Sequence, residues 1–164
     1  EAAARRQLAD YAVLAGTVAV RGPGVEITIA DPVGGVTAAA LLDAVQELRG
    51  AGAEAIQIGS VRVVVDTAFV DTDPSTTSGA TTGIGPGITV GGTPLQPPYR
   101  VLAIGEAASL ARALNIPGGV VEALTARQAV VDVQQRATIT IDSLHTPRQP
   151  VLAQPVAPSP VATP

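Results

Sequence analysis

Four charged side chains form the candidate ligand-binding set of this sequence: Asp31, Glu54, Arg62 and Arg100. Both arginines lie inside predicted strands, and guanidinium groups bind carboxylates through paired hydrogen bonds. The arginines therefore either form a patch for carboxylate recognition or pair with acidic side chains across a sheet. The acidic candidates for such pairing are Glu26, Asp66 and Asp132.

Two further sets of polar residues suggest weaker chemistry. His145 is the single histidine and lies at the edge of a proline-rich tail, whereas a Ser-His-Asp triad needs its imidazole on a rigid element. Asp71 and Asp73 form an Asp-x-Asp pair that can share a hard cation, but no glutamate follows at the spacing of a calcium loop. We interpret all three as solvated side chains.

A glycine-rich run at 83–87 lacks the Gly-Lys-Ser/Thr ending of a phosphate-binding loop, and the chain has no lysine. No helix is predicted directly after it, so the usual amide cradle for a phosphate is missing. No set of nucleophile, base and oxyanion-stabilising group is found either. The sequence predicts a non-enzyme without catalytic residues, a metal site or a cofactor.

The composition excludes other classes of protein. The 164 residues contain no cysteine, methionine or tryptophan, which rules out disulfide frameworks, thiolate nucleophiles and cysteine-based metal sites in this chain. The formal net charge of -4 argues against nucleic acid as a partner, because phosphate binding needs a basic stripe. With 46% hydrophobic and 15% charged residues, the chain is apolar enough to fold.

The first half of the chain predicts a strand, a helix and a further strand. Val25, Ile27 and Ile29 alternate with less apolar residues, which is the period of a half-buried strand, and the segment 21–24 before them predicts a turn. Thr37 is the expected N-cap of the helix. The apolar stripe of that helix is expected to consist of Leu41, Leu42, Val45 and Leu48.

Next come a short strand within 53–59, a tight turn at Gly59-Ser60 and one long strand over Val61–Val70. The polar segment Asp71–Gly87 predicts a long loop, which is either functional or disordered, and we favour a mobile loop. A small hairpin is expected over 88–95.

The second half repeats the plan. A strand over 99–105 is apolar on both faces, two short helices follow over 107–114 and 120–127, and a last strand covers 129–141. The odd-numbered residues of that last strand are expected to share one face. The order predicts an α+β fold, a ferredoxin-like βαβ-βαβ sandwich with helices on one face of an antiparallel sheet and an inserted hairpin and loop.

Both ends differ in composition from this domain. Residues 1–15 are rich in helix formers without an N-cap signal before them, which predicts the end of an upstream helix or coiled coil. Residues 16–145 form the α+β domain. Residues 146–164 repeat proline and predict a disordered tail, with a proline-rich docking ligand anchored at Arg148 as the alternative.

Three segments together resemble the bacterial domain of unknown function family 881, the YlxW/YlxX-like proteins. They are VRGPGVEITIAD (Val20 to Asp31), LRGAGAEAIQIGSVRV (Leu48 to Val63) and ITVGGTPLQPPYRVLAIG (Ile88 to Gly105). The sequence departs from the family pattern where Gly59 or Ser60 replaces an asparagine, and in the length of the loop over 71–87. A ligand role that depends on that asparagine is therefore not expected.

The resemblance implies a single-pass membrane protein: a transmembrane helix, a coiled coil, and then this domain on the extracytoplasmic side. The membrane contact is expected to come from an N-terminal segment missing from this chain. The expected role is a non-enzymatic protein-interaction scaffold of the cell envelope, linked to cell division, with protein partners in the envelope and a possible homodimer formed through the upstream helix.

The alternative hypothesis is a regulatory domain that binds a small ligand or an ion. Its candidate residues are the four charged side chains named first, together with the loop over 71–87. This hypothesis rests on analogy, since ferredoxin-like sandwiches often bind small molecules at dimer edges.

Overall fold

Two antiparallel sheets and four helices make up the part of the chain that the structure, a computed structural model, describes, namely residues 1–72 and 87–154. The predicted α+β class is therefore confirmed. In chain order the elements are α1 (Ala2–Leu14), β1 (Val20–Ala30), α2 (Ala38–Gly50), β2 (Ala55–Ile58), β3 (Val61–Val63), β4 (Phe69–Thr72), β5 (Gly87–Val90), β6 (Thr93–Leu95), β7 (Tyr99–Ile104), α3 (Ala107–Leu114), α4 (Val120–Ala126) and β8 (Val130–Ile141).

The larger sheet has five strands in the order β3-β2-β7-β1-β8, and all neighbours are antiparallel. Its register places Ile27 of β1 opposite Val101 of β7 and Val133 of β8. The smaller sheet has the order β4-β5-β6 and contains the predicted hairpin over 88–95. Ile88 and Val90 of β5 are buried in the same core as the larger sheet.

One face of the larger sheet packs against α2, α3 and α4. Val25, Ile27 and Ile29 alternate along β1 as predicted and are buried in this core. The helices contribute buried side chains at helical spacing: Leu41, Val45, Leu48, Leu110, Leu114, Val120 and Leu124. This face holds the main hydrophobic core.

The N-terminus of α2 agrees with its sequence signals, and its apolar stripe is narrower than predicted. The hydroxyl of Thr37 accepts a hydrogen bond from the amide of Ala40 at 3.3 Å, which confirms the N-cap. Leu41 is fully buried, whereas Leu42 is 36% exposed. Leu42 lies about 100° further around the helix, beyond the reach of the sheet.

The turn predicted over 21–24 is wrong, because these residues belong to β1. Between Gly22 and Gly24 the pairing with β8 shifts by one residue, so Pro23 alone faces two residues of β8. Such a bulge tolerates proline because no ladder hydrogen bond is required from it. Gly24 is needed here since a Cβ would overlap the carbonyl oxygen of Ala103 on β7.

The same bulge overturns the predicted alternation of β8. Val131 and Val133 pack against the helix-side core, as expected. Beyond the bulge the side chains exchange faces, so Ile139 and Ile141 are buried in a second cluster on the opposite face, with Leu102. An extra residue in a strand shifts the two-residue period by one position, which a pattern read from one strand cannot reveal.

The long strand predicted over Val61–Val70 is also wrong, because the chain turns after β3 and joins the smaller sheet as β4. The hydroxyl of Thr67 accepts from the amide of Val64 at 2.8 Å, and the amide of Thr67 donates back to the carbonyl of Val64. This local bonding competes with a continuous strand. The predicted turn at Gly59-Ser60 is confirmed by the pairing of Ile58 with Val61.

The remaining predictions about loops and ends have separate outcomes. Of the predicted loop, Asp71 and Thr72 belong to β4 and Gly87 to β5, while 73–86 lie outside the described residues. Residues 155–164 of the predicted tail also lie outside them. The division into 1–15, 16–145 and 146–164 stays a prediction. No helix in the described ranges combines the length and apolarity needed to cross a bilayer.

Candidate interaction surface

The face of the larger sheet opposite α2, α3 and α4 is the candidate site, and we call it the open face. Because side chains alternate along a strand, the even-numbered residues of β1, β3 and β7 and the odd-numbered residues of β2 point to it. Its described polar side chains are Glu26, Thr28, Gln57, Arg62, Arg100, Asp132, Gln134 and Arg136. The open face is therefore polar at its centre and along the first part of β8, and apolar around Leu102, where Ile139 and Ile141 of β8 are buried.

A charged cluster of Glu26, Arg100 and Arg136 lies at the centre of the open face. Arg100 Nε donates to Glu26 Oε1 at 2.7 Å, and Arg136 Nε donates to Glu26 Oε2 at 3.1 Å. The hydrogen bond from Arg100 is the largest cause that lowers the pKa of the Glu26 carboxyl below its ordinary value. These pairs confirm the predicted pairing of Arg100 with Glu26 across the sheet, and they add Arg136.

The cluster carries one net positive charge and borders a shallow depression of about 160 Å³. Leu102 and Ile139 form part of its floor. The side chain of Glu26 is only 19% exposed, whereas that of Arg100 is 61% exposed. Only the Nε–H of each arginine is used on Glu26, so terminal N–H groups remain for a carboxylate from outside.

Arg62 does not take part in this cluster, because it is buried between β3 and the C-terminal end of α1. It is 3% exposed, and it donates to two backbone carbonyl oxygens: Nη2 to Val13 at 2.9 Å and Nη1 to Val18 at 3.2 Å. Burial lowers the pKa of its guanidinium. No described carboxylate pairs with Arg62, so the predicted pairing with Asp66 or Asp132 is wrong for this residue. Arg62 instead holds α1 against the sheet.

Asp31 is buried in the loop between β1 and α2 and serves that loop. Its carboxylate accepts from the amide of Gly35 at 2.8 Å and from the amide of Val36 at 3.0 Å. Its charge lies near Tyr99, whose pKa is raised to about 12, first by burial and then by Asp31 and Asp71. These contacts give Asp31 a structural role, with both oxygens occupied.

Glu54 lies in the turn before β2, with an exposed side chain. Its backbone amide donates to the carbonyl oxygen of Ile104 at 2.9 Å, which starts the pairing of β2 with β7. Arg62 and Arg100 belong to the same face of the sheet, but the four predicted ligand residues are held by separate contacts and form no common cluster. Their role in ligand binding stays a prediction.

The weaker candidates are also placed by the structure. His145 Nε2 lies 3.8 Å from Asp66 Oδ1, and the amide of His145 donates to the carbonyl of Gly16. Asp71 accepts from the amide of Ala38 at 2.6 Å and so satisfies a donor at the start of α2. Asp73 and residues 83–86 lie outside the described residues. Within the described ranges, no three metal-ligating side chains come together.

Two long-range contacts were not predicted from the sequence, those of Arg136 and Asp71. Arg136 was not selected, although its partner Glu26 was, because 110 residues separate the two. Asp71 was interpreted as a solvated loop residue, yet it bonds to α2 across 33 residues. The available signal for Arg136 was its position, since it is one of only two charged residues in β8.

Comparisons with known proteins give the context for this geometry. Residues 7–154 match the sequence model of a family described as bacterial protein of unknown function (DUF881). The chain is 42% identical over 157 residues to UPF0749 protein Rv1825 of Mycobacterium tuberculosis (strain ATCC 25618 / H37Rv) and, equally, to UPF0749 protein Mb1856 of Mycobacterium bovis. The match covers 93% of this chain and 50% of each relative, so the chain spans about half their length.

A solved structure is similar as well. It is described as an uncharacterized conserved protein from Mycobacterium tuberculosis, and it matches with a TM-score of 0.76 at 42% identity. The match covers 92% of this chain and 99% of that one.

Proposed function

Since the chain belongs to the DUF881 family of bacterial proteins of unknown function, we propose that it is an extracytoplasmic interaction domain of a single-pass membrane protein. In this proposal it acts as a non-enzymatic scaffold of the cell envelope, linked to cell division, and binds other envelope proteins. The observation that carries the proposal is the arrangement of α1, which is attached to the domain at its C-terminal end, where Ala12 and Val13 are half-buried, while residues 2–11 are exposed.

The helix α1 buries none of its 13 residues against the rest of the described chain. Leu8 is 68% exposed and Tyr11 is 57% exposed, three residues apart on one side of the helix. Ala4 and Ala15 extend the same stripe at the spacing of a coiled-coil seam. Isolated helices of this length are marginal in water, so this stripe supports a packed partner for α1.

The partner proposed for α1 is the α1 of a second copy, in a coiled coil that continues toward the membrane. Replacing both Leu8 and Tyr11 with Asp should abolish association through this helix, because the charges would lie in the seam. Asp10→Arg is the matched control, since Asp10 lies on the opposite side of α1. Sedimentation over a concentration series measures the result, and an unchanged association constant in the double variant would refute pairing through α1.

We also propose that the larger sheet is a ferredoxin-like sheet with one added strand. The order β8-β1-β7-β2 reads 4-1-3-2 when the four strands of the two βαβ passes are counted along the chain. Each pass then consists of two strands joined by helix, with a strand of the other pass between them. The strand β3 and the smaller sheet are insertions between the second and third strands in this description.

The membrane placement is tested in cells on the full-length protein. The chain described here has no cysteine, and Val65 is 95% exposed, so Val65→Cys introduces one accessible thiol in this domain. A membrane-impermeant maleimide should label it in intact cells if the domain is extracytoplasmic. The protein without this substitution is the control. Labelling that requires cell lysis would place the domain inside and overturn the proposal.

The alternative function is a regulatory domain for a small anionic ligand or an ion. The depression beside Arg100 and Arg136 is the specific observation that favours it, because its N–H groups suit a carboxylate. Thermal unfolding with metals, nucleotides and amino acids tests this function, since a ligand that binds only the folded state raises the melting temperature. No shift with any of these ligands would reject it, whereas a shift lost in Arg100→Met would support it.

A further inference from the structure

The strand β8 has an unpaired outer edge. It is 12 residues long, lies at one end of the larger sheet, and has β1 as its only hydrogen-bonded neighbour within residues 1–72 and 87–154. No other described backbone group bonds to its outer side. A long edge strand presents a row of N–H and C=O groups that can pair with another strand.

The first part of β8, Val130–Arg136, lacks several of the features that usually protect an edge strand, although Asp132 and Arg136 give it two charged side chains. Such features include proline, lysine and bulges. This segment contains neither residue, and the bulge begins only after Arg136. Its side chains alternate regularly, with Val131, Val133 and Gln135 on the helix side and Val130, Asp132, Gln134 and Arg136 on the open face.

The charges of β8 are arranged symmetrically about one residue. Asp132 and Arg136 are the only charged residues of the strand, and each lies two positions from Gln134 on the open face. We propose that β8 pairs antiparallel with β8 of a second copy of this chain, about a two-fold axis through Gln134. Asp132 of each copy then lies opposite Arg136 of the other.

The symmetry leaves few other registers. A two-fold axis normal to the sheet keeps the helices of both copies on one side, and directly opposite residues must then point to the same face. The axis therefore passes through a residue pair. An axis at Asp132 or Arg136 would oppose like charges, and one at Val133 would oppose Asp132 to Gln134. Only an axis at Gln134 places Asp132 of one copy opposite Arg136 of the other.

The proposed pairing also continues the charge pattern of the open face. Arg136 uses its Nε–H on Glu26, which in turn binds Arg100, so its terminal N–H groups remain for Asp132 of the second copy. A row of alternating charges would then run across both sheets. Electrostatic complementarity of this kind sets register in strand pairing.

This interface is separate from the one proposed for α1. The end of α1 is bound by Arg62 on β3, which forms the opposite edge of the same sheet. Pairing through β8 does not depend on α1, on the membrane or on the envelope role. If both interfaces form, each copy contacts one neighbour through α1 and another through β8. Copies would then join into an open row, as expected for a scaffold.

Charge reversal tests the pairing in a background that removes association through α1, the double variant Leu8→Asp and Tyr11→Asp. In this background the chain should still form dimers. Asp132→Arg or Arg136→Asp alone should weaken dimers about tenfold or more, because two like-charge pairs replace two attractive ones. Mixing these two variants should restore dimers, since every apposed pair is again opposite in charge. Melting curves identify any variant that fails to fold.

A cysteine at the symmetry point gives a second measurement that needs no charge change. The chain has no native cysteine, so Gln134→Cys should form a disulfide-linked dimer on mild oxidation. Thr140→Cys, exposed on the same strand but away from the axis, is the matched control. Three outcomes would overturn the proposal: a monomeric background chain at all concentrations, mixed variants that stay monomeric, or equal cross-linking at both positions. If the background chain is monomeric at all concentrations, the edge of β8 would instead be open to pairing with a strand of another protein.

Discussion

Replacing Arg62 with methionine is expected to destabilise the fold and to release α1 from the sheet. Methionine retains an apolar stem of similar length but removes both donors. The carbonyl oxygen of Val13 keeps a hydrogen bond from the amide of Gly16, whereas that of Val18 loses the only described bond to it. The change therefore acts at the junction between α1 and β3.

The magnitude follows from the two contacts. Hydrogen bonds that involve a charged group contribute about 1.5–3 kcal/mol each. Part of this gain offsets the cost of removing the guanidinium from water, a cost that methionine avoids. We expect a net loss of about 2 kcal/mol in the free energy of unfolding. For a chain of this size such a loss lowers the melting temperature by roughly 4–8 °C.

The assay combines urea unfolding with amide hydrogen exchange. Local release of α1 should increase exchange at the amides of Gly16 and Thr17, which bond to carbonyls in the last turn of the helix. Arg100→Met is the matched control, because Arg100 carries the same charge but is largely exposed. Arg100→Met should lower the free energy of unfolding by less than about 1 kcal/mol. Equal stability of Arg62→Met and the unmodified chain, with unchanged exchange, would refute the anchoring role of Arg62.

Two further predictions concern the core. Leu41→Ala should lower the free energy of unfolding by about 2–5 kcal/mol, and Leu42→Ala by less than about 1 kcal/mol, because only Leu41 is fully buried. Similar losses for the two variants in urea unfolding would show that the orientation of α2 is wrong. The raised pKa of Tyr99, about 12 against about 10 in the unfolded chain, means that its contribution to stability is complete below pH ~10 and is lost as the pH rises toward ~12. The loss is on the order of 2–3 kcal/mol, and melting curves of Tyr99→Phe should lack it; an identical pH dependence in that variant would contradict the prediction.

The local elements of this protein were largely predictable from the sequence. Thr37 marked the start of α2, the alternation of Val25, Ile27 and Ile29 marked β1, and Gly59-Ser60 marked a hairpin turn. Each of these signals depends on residues within a few positions of one another, so propensity, period and turn chemistry act without knowledge of the rest of the chain. The errors at Val61–Val70 and at 21–24 came from a local turn bond and from a bulge that depends on the partner strand.

The site was decided by contacts between distant residues. The sequence predicts the same role for Arg62 and Arg100, as two arginines in strands that either form a patch for a carboxylate or pair with acidic side chains. The fold gives them different roles, because Arg62 meets carbonyl oxygens supplied 44 and 49 residues earlier, whereas Arg100 meets a carboxylate 74 residues earlier. Whether a charge is buried or exposed depends on which segments cover it, and no local pattern contains that information.

The sequence by itself thus determined the α+β class and the absence of cysteine and lysine, which follow from short-range pattern and composition, and its resemblance to three family segments identified the family. Only the tertiary structure decided that β8 is an edge strand, that its side chains exchange faces at a bulge, and that Asp132 and Arg136 remain together on the open face. The physical reason is that sheet order and register are set by pairing between segments far apart in the chain, and the free edge of a sheet exists only once that order is complete.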